Sequence, residues 1–126
     1  MSQPVNWKKL EQWGVVLVAL HSFLVCSLMV FFPQWMLKFA GWKNVDYVFF
    51  IKQSGAFHFV VAMGYLLEYW RYRSIGLLVI AKSTAVVFLL ALSPWADAWA
   101  ISFSGITDGL MLVGMVVVHL MAKRQL

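Results

Sequence analysis

Four apolar segments, each close to the length that crosses a lipid bilayer, make up most of this chain of 126 residues. They run over residues 13–32, 48–69, 74–92 and 100–121. A helix needs about 20 apolar residues to cross the hydrocarbon core, where its backbone groups must be satisfied within the segment. The segments predict an all-α integral membrane four-helix bundle that occupies residues 1–126 as a single domain.

Composition excludes a soluble fold and narrows the partners. The chain is 63% hydrophobic and 12% charged, whereas soluble domains carry about 25% charged residues. The formal net charge is +5, but the basic residues stand mostly at segment ends, where they meet anionic lipid headgroups. Membrane lipid is therefore an expected partner, and nucleic acid is not.

The distribution of Lys and Arg predicts the orientation. Six of these residues flank one side of the four segments and three flank the other, and the richer side is normally cytoplasmic. The six are Lys8, Lys9, Arg71, Arg73, Lys123 and Arg124, and the three are Lys38, Lys43 and Lys52. We expect both termini in the cytoplasm and the protein in the bacterial inner membrane. Segment 34–47, which follows Pro33, is rich in Trp and Lys and is predicted to lie at the membrane interface.

Each apolar segment carries one ionisable residue well inside it: His21, His58, Lys82 and Asp108. A charged group in hydrocarbon is costly, so it normally faces other helices, pairs with another charge or lines a polar path. At about 1.5 Å per residue, the four fall within one band of depth. They predict a shared polar centre.

Helical spacing extends this centre along the second and fourth segments. Ser54, His58, Tyr65 and Glu68 fall near one face of the second segment, and His119 falls near the face of Asp108 in the fourth. Ser54, Tyr65, Glu68 and His119 are candidates for a proton relay. The alternative is structural, because a Lys82–Asp108 ion pair can fix the register of two helices without chemistry.

Small residues surround Asp108. Gly105 and Gly109 form a G-x-x-x-G spacing, and Gly114 adds a third site. This spacing lets another helix approach closely. It predicts helix packing within the chain, with a self-association or partner face as the alternative.

No metal site and no catalytic residue are predicted, and the sequence does not identify a cofactor. Clustered spacings such as H-x-x-x-H or E-x-x-H are absent. Two histidines on facing helices, His21 and His58, could still ligate a haem iron from opposite sides.

Three stretches carry a resemblance to a known family. The first segment ends in F-F-P-Q-W-M-L-K-F-A-G at residues 31–41, the second opens with K-Q-S-G-A at 52–56, and a basic turn follows it. This layout resembles the DoxX-like group of small four-helix membrane proteins. That group often has arginine where Lys52 stands and an acidic residue where Asp108 stands. It includes subunits associated with oxidoreductases, so the resemblance implies an accessory role and no particular reaction.

Three functions are compatible with these features. The first is a small membrane accessory subunit that contacts lipid or quinone and belongs to a larger complex or homo-oligomer. The second is an oligomeric proton- or ion-coupled carrier that uses Asp108, His58 and Lys82. The third is a haem-carrying membrane anchor subunit. None of the observations above requires this chain to be an enzyme by itself.

Overall fold

The computed structural model describes residues 3–44, 46 and 48–125, and these residues are almost entirely helical. Within them are five α-helices, α1 Trp7–Phe31, α2 Pro33–Phe39, α3 Phe49–Tyr72, α4 Gly76–Leu92 and α5 Trp99–Arg124. A short 3₁₀ turn, Ser93–Trp95, follows α4. No β-strand occurs in the described residues. The predicted all-α fold class is therefore confirmed.

Local sequence explains where the helices end. The Asn6 side chain accepts a hydrogen bond from the backbone N–H of Lys9 and caps α1. Pro33 closes α1 and opens α2, because proline is tolerated only in the first turn of a helix. Pro94 likewise turns the end of α4 into the 3₁₀ turn.

Helix α1 begins six residues before the predicted start of the first segment. The extra turn carries Lys8, Lys9 and Glu11, which an apolarity criterion leaves out of a membrane span. The Asn6 cap and the contacts of Glu11 with other helices hold this polar turn in helical form.

Three helices are long and apolar enough to cross a membrane: α1, α4 together with its 3₁₀ turn, and α5. Helix α3, which covers the predicted second segment, is 24 residues long but is not one of them. Its polar side chains lower its hydropathy, and they include Lys52, His58 and Glu68. The protein thus has the transmembrane helices of a membrane protein.

Neighbouring long helices pack antiparallel. Helix α1 contacts α3 most extensively, and α5 contacts both α4 and α1. Helices α3 and α4 make the least extensive of these contacts. The two ends of the chain lie side by side, since the Gln125 side chain accepts from the Trp7 N–H at 3.0 Å and donates to the Val5 carbonyl at 2.8 Å.

Part of segment 34–47 forms the short helix α2, which docks on the start of α5. Gly41, with φ of 96°, reverses the chain after α2 in a left-handed conformation that suits glycine. The Trp99 indole donates a hydrogen bond to the Phe39 carbonyl at 2.9 Å. Trp35 and Phe39 remain exposed, as the predicted interface position requires. The last residue of that segment, Tyr47, lies outside the described residues.

Candidate functional site

The Lys82–Asp108 ion pair lies inside the helices. The Lys82 Nζ donates to the Asp108 Oδ1 at 2.6 Å, across the contact of α4 with α5. The side chains are only 5% and 12% exposed. An isolated charge at this depth would lose its hydration without a compensating interaction, and the pairing supplies that interaction for both groups. This pair joins two of the four residues predicted to form the polar centre.

A cavity of about 270 Å³ adjoins the ion pair. Helices α3 and α4 supply most of its wall, while α1 and α5 contribute one polar residue each, Ser22 and Asp108. The structure thus places His58, Lys82 and Asp108 of the predicted centre, with Ser54 and Tyr65 of the predicted relay, around one space. The lining residues are Ser22, Ser54, Phe57, His58, Val61, Tyr65, Ala81, Lys82, Ala85 and Asp108.

The side chains that line the cavity can form hydrogen bonds, and together they carry no net charge. Lys82 and Asp108 compensate each other, and the other polar side chains are hydroxyls and one imidazole. A hydroxyl both donates and accepts, and a neutral imidazole does one at each nitrogen. The cavity can therefore bind a small polar group that offers both kinds of partner.

His21, the fourth residue of the predicted centre, stands beside the cavity without lining it. The charges of Lys82 and Asp108 both act on its imidazole, so it lies in the same region of the interior. Its Nδ1 atom is buried and has no hydrogen-bond partner among the described residues. A buried nitrogen without a partner costs free energy.

Glu68, a candidate for the relay, bonds to the start of helix α4. Its two carboxylate oxygens accept hydrogen bonds from the Ser74 hydroxyl at 2.9 Å and the Leu77 N–H at 2.8 Å. It thus satisfies a free backbone N–H in the first turn of α4, where a negative charge is favourable. Glu68 does not line the cavity, and its position next to the α3–α4 turn explains why.

His119 pairs with Glu11, and neither lines the cavity. The His119 Nδ1 contacts the Glu11 carboxylate, which is buried where α1 meets α5. The Glu11 charge also acts on Tyr69 of α3, and the Arg73 guanidinium lies 5.4 Å from the centre of the Tyr69 ring. We call Glu11, Tyr69, Arg73 and His119 the terminal cluster, because it lies near both ends of the chain.

Glu11 is the residue that sequence reasoning missed. It lies four residues before Val15 and eleven before Ser22, which are both buried. Residues at these offsets share one face of a helix. Extending the helical period beyond the apolar run would have placed Glu11 on the buried face of α1.

One buried core cluster borders both the terminal cluster and the cavity. Val15, Leu78 and Met115 are buried in one core cluster that also includes the two tyrosines Tyr65 and Tyr69. Glu11 and Ser22 are about 16 Å apart along α1 at the helical rise, and the same separation holds for Asp108 and His119. Tyr65, which lines the cavity, and Tyr69 of the terminal cluster are one helical turn apart on α3, so both sites border the same core.

The three glycines predicted to pack helices have different surroundings. A Cβ at Gly105 would lie 2.8 Å from the Leu90 Cδ2, so this glycine lets α4 approach α5 closely. At Gly109 the nearest atom would be the Val86 Cγ2 at 3.7 Å, and at Gly114 none lies within 4 Å. Gly105 thus stands at the tight contact next to the Lys82–Asp108 pair.

The donor set of the interior does not point to a metal or a large cofactor. Across residues 3–44, 46 and 48–125, no three His, Cys, Asp or Glu side chains come together as a metal site. A cavity of about 270 Å³ is slightly below the roughly 300–1,000 Å³ of pockets that enclose drug-sized ligands. It suits a compact group, whereas a haem held between His21 and His58 would have to separate α1 from α3, which make the most extensive helix contact.

Comparison with known proteins gives no match: no family model, no curated protein and no solved structure is significantly similar to this chain.

Proposed function

We propose that this protein is a small membrane accessory protein that holds the polar head of an amphipathic molecule, such as a quinone or a lipid, in the cavity beside Lys82 and Asp108. One observation carries the proposal. The protein is apolar over most of its surface, yet it maintains an ion pair, an imidazole and three hydroxyl-bearing side chains around an interior space. Polar groups inside a membrane protein usually mark a ligand or ion pathway.

The proposal includes the membrane arrangement. All four long helices, α1, α3, α4 and α5, cross the bilayer as one four-helix bundle, with both termini in the cytoplasm of a bacterial cell. The excess of Lys and Arg near the chain ends supports this orientation. The adjacency of Val5, Trp7 and Gln125 supports an even number of crossings. Helix α3 is tolerated as a span because His58 faces the cavity and Glu68 caps α4 near the membrane surface.

The resemblance to the DoxX-like group supports the accessory role. That group includes subunits associated with oxidoreductases. A redox partner could exchange electrons with a bound quinone. The broad exposed apolar surface provides room for contacts with a larger complex or with further copies of this chain.

A proton- or ion-coupled carrier ranks second. The observation that favours it is the proximity of His21 and His58 to the Lys82–Asp108 pair, whose charges act on both imidazoles. Against it, Glu68 and His119 of the candidate relay do not line the cavity and bond elsewhere.

Mass spectrometry of extracted ligands tests the proposal. The protein would be purified in a mild detergent, and small molecules would be extracted with organic solvent. We expect an amphipath at near-stoichiometric amounts in the wild type, and its loss from the double variant Lys82→Met with Asp108→Asn. Thr107→Val is the matched control, because the Thr107 hydroxyl bonds to the Phe103 carbonyl of its own helix and does not line the cavity. Equal ligand content in all three proteins would contradict the proposal.

A further inference from the structure

The cavity has a mouth between α3 and α4. Its floor is the buried Lys82–Asp108 pair, while its rim is exposed: Phe57 on α3 is 61% exposed, and Ala81 and Ala85 on α4 are partly exposed. The gradient from buried floor to exposed rim shows that the cavity opens sideways, outward between the two helices.

Packing near the α3–α4 turn explains this mouth. Leu77 lies against Gly64, where a Cβ would be only 2.5 Å from the Leu77 Cδ2. Glu68 bonds to the start of α4 on the same side of the molecule. These contacts hold the helices together beside their turn. Further along, the two small side chains Ala81 and Ala85 face the lining residues of α3 and leave space between the helices.

The mouth opens at the depth of the bilayer core. Lys82 is six residues from the start of α4 and ten from its end, which corresponds to about 9 Å and about 15 Å along the helix axis. The hydrocarbon core is about 30 Å thick. A molecule that reaches this mouth therefore comes from the lipid phase, and it needs an apolar part to be there.

Charge and size restrict the head group. Lys82 and Asp108 already neutralise each other at 2.6 Å, so a charged head would enter a desolvated space with no free counter-charge. A neutral head can exchange hydrogen bonds with His58 and the hydroxyls of Ser54 and Tyr65. The volume of about 270 Å³ admits one compact ring-sized group.

We infer that the cavity selects an amphipath with a neutral, hydrogen-bonding head and a hydrocarbon chain, which enters sideways from the bilayer between α3 and α4. This inference rests on the proposed function and specifies its ligand class. The chain lies along the apolar rim formed by Phe57, Val61 and Ala85. We therefore expect phospholipids, with their charged headgroups, to bind poorly.

Three matched probes test the head and the chain. They are 4-decylphenol, 4-decylbenzoate and phenol, titrated at neutral pH into protein in lipid nanodiscs, with empty nanodiscs as the reference. At this pH the phenols are neutral and the benzoate is ionised. We expect 4-decylphenol to bind at least about tenfold more tightly than either other probe, a difference of about 1.4 kcal/mol. Equal or tighter binding of 4-decylbenzoate would overturn the neutral-head inference.

Two alanine variants test the mouth. Ala85→Leu places a larger side chain on the rim and leaves the ion pair untouched, so it should weaken 4-decylphenol binding by about tenfold or more. Ala91→Leu adds the same atoms to an exposed position of α4 that does not line the cavity, and should bind like the wild type. Both should keep the wild-type melting temperature. Unchanged affinity in Ala85→Leu would overturn sideways entry.

The outcomes separate this inference from the proposed function. If solvent extraction recovers an amphipath that depends on Lys82 and Asp108 but carries a charged head, the proposed function stands and this inference fails. If no amphipath is recovered and none of the probes binds, both fail.

Discussion

Two buried polar pairs, Lys82–Asp108 and Glu11–His119, lie in the part of the chain that the structure describes, and their surroundings differ. The Lys82–Asp108 pair adjoins a cavity with hydroxyls and an imidazole, whereas the Glu11–His119 pair packs in the terminal cluster, outside that cavity. Their partners differ as well, because histidine can become neutral by losing a proton near pH 7, and lysine normally cannot. A buried pair alone is therefore weak evidence of function, and the accessible space beside it is what distinguishes the first pair.

The largest effect should come from breaking the cavity pair. Asp108→Asn alone strands the buried Lys82 ammonium, and Lys82→Met alone strands the carboxylate, so each should cost about 3–5 kcal/mol of unfolding free energy. The double variant should cost clearly less than the two single losses added together. Chemical denaturation in detergent measures all three. Additive losses would show that the two residues do not interact.

The terminal pair should be less sensitive. Glu11→Gln replaces the carboxylate that contacts the His119 Nδ1 with a neutral amide, so we expect a loss of about 1–3 kcal/mol of unfolding free energy, the cost of one poorly satisfied buried group. Amphipath binding should stay within about twofold of the wild type, equivalent to less than about 0.5 kcal/mol. The same denaturation and titration assays apply. A loss as large as that of Asp108→Asn, or a loss of binding, would remove the distinction between the two pairs.

Two glycines test how tightly the helices around the cavity pair are packed. Gly105→Ala places a Cβ 2.8 Å from the Leu90 Cδ2 and 3.3 Å from the Leu89 Cβ, so an overpacking cost of about 1–3 kcal/mol should exceed the helix-propensity gain of about 0.5–1 kcal/mol. Gly114→Ala on the same helix meets no atom within 4 Å and should gain about 0.5–1 kcal/mol. If both variants had the same thermal stability, the close approach of α4 to α5 would not contribute to holding the pair.

His58 separates binding from stability at the cavity. His58→Gln keeps a polar side chain at a partly exposed position, so unfolding free energy should change by no more than about 0.5 kcal/mol. Binding of 4-decylphenol should nevertheless weaken, because the imidazole that lines the cavity and can hydrogen-bond the phenol is replaced by an amide. Parallel losses of both would assign His58 a structural role. Vesicles with a trapped pH dye extend the test: wild-type protein should leak protons no faster than protein-free vesicles, and a faster leak would favour the carrier.

Cysteine labelling of the two chain ends should perturb the protein least, and it tests where the two pairs lie relative to the membrane. In a background with Cys26→Ala, single cysteines at the exposed residues Gln3 and Lys123 should be labelled only from the cytoplasmic side, without change in stability. That result would place the terminal cluster near the cytoplasmic face and the cavity pair deeper. Labelling of one terminus from outside would contradict the four-span arrangement.

The sequence by itself determined the helices. Long apolar runs predicted four helical segments, and helices α1, α3, α4 and α5 match them with ends that differ by up to six residues. This succeeds because backbone groups in an apolar setting must bond within their own helix. Because burying a charge in hydrocarbon is costly, the sequence also predicted that Lys82 and Asp108 belong to a polar centre, and the structure shows them as an ion pair.

Tertiary structure decided what each polar residue contacts. Glu68 and His119 share helical faces with His58 and Asp108, yet Glu68 caps α4 and His119 pairs with Glu11. Helical period gives the direction of a side chain within its own helix, but the partner depends on which helix lies opposite and how far it is shifted along its axis. The cavity exists for the same reason, since it is the space left where α3 and α4 pack least closely.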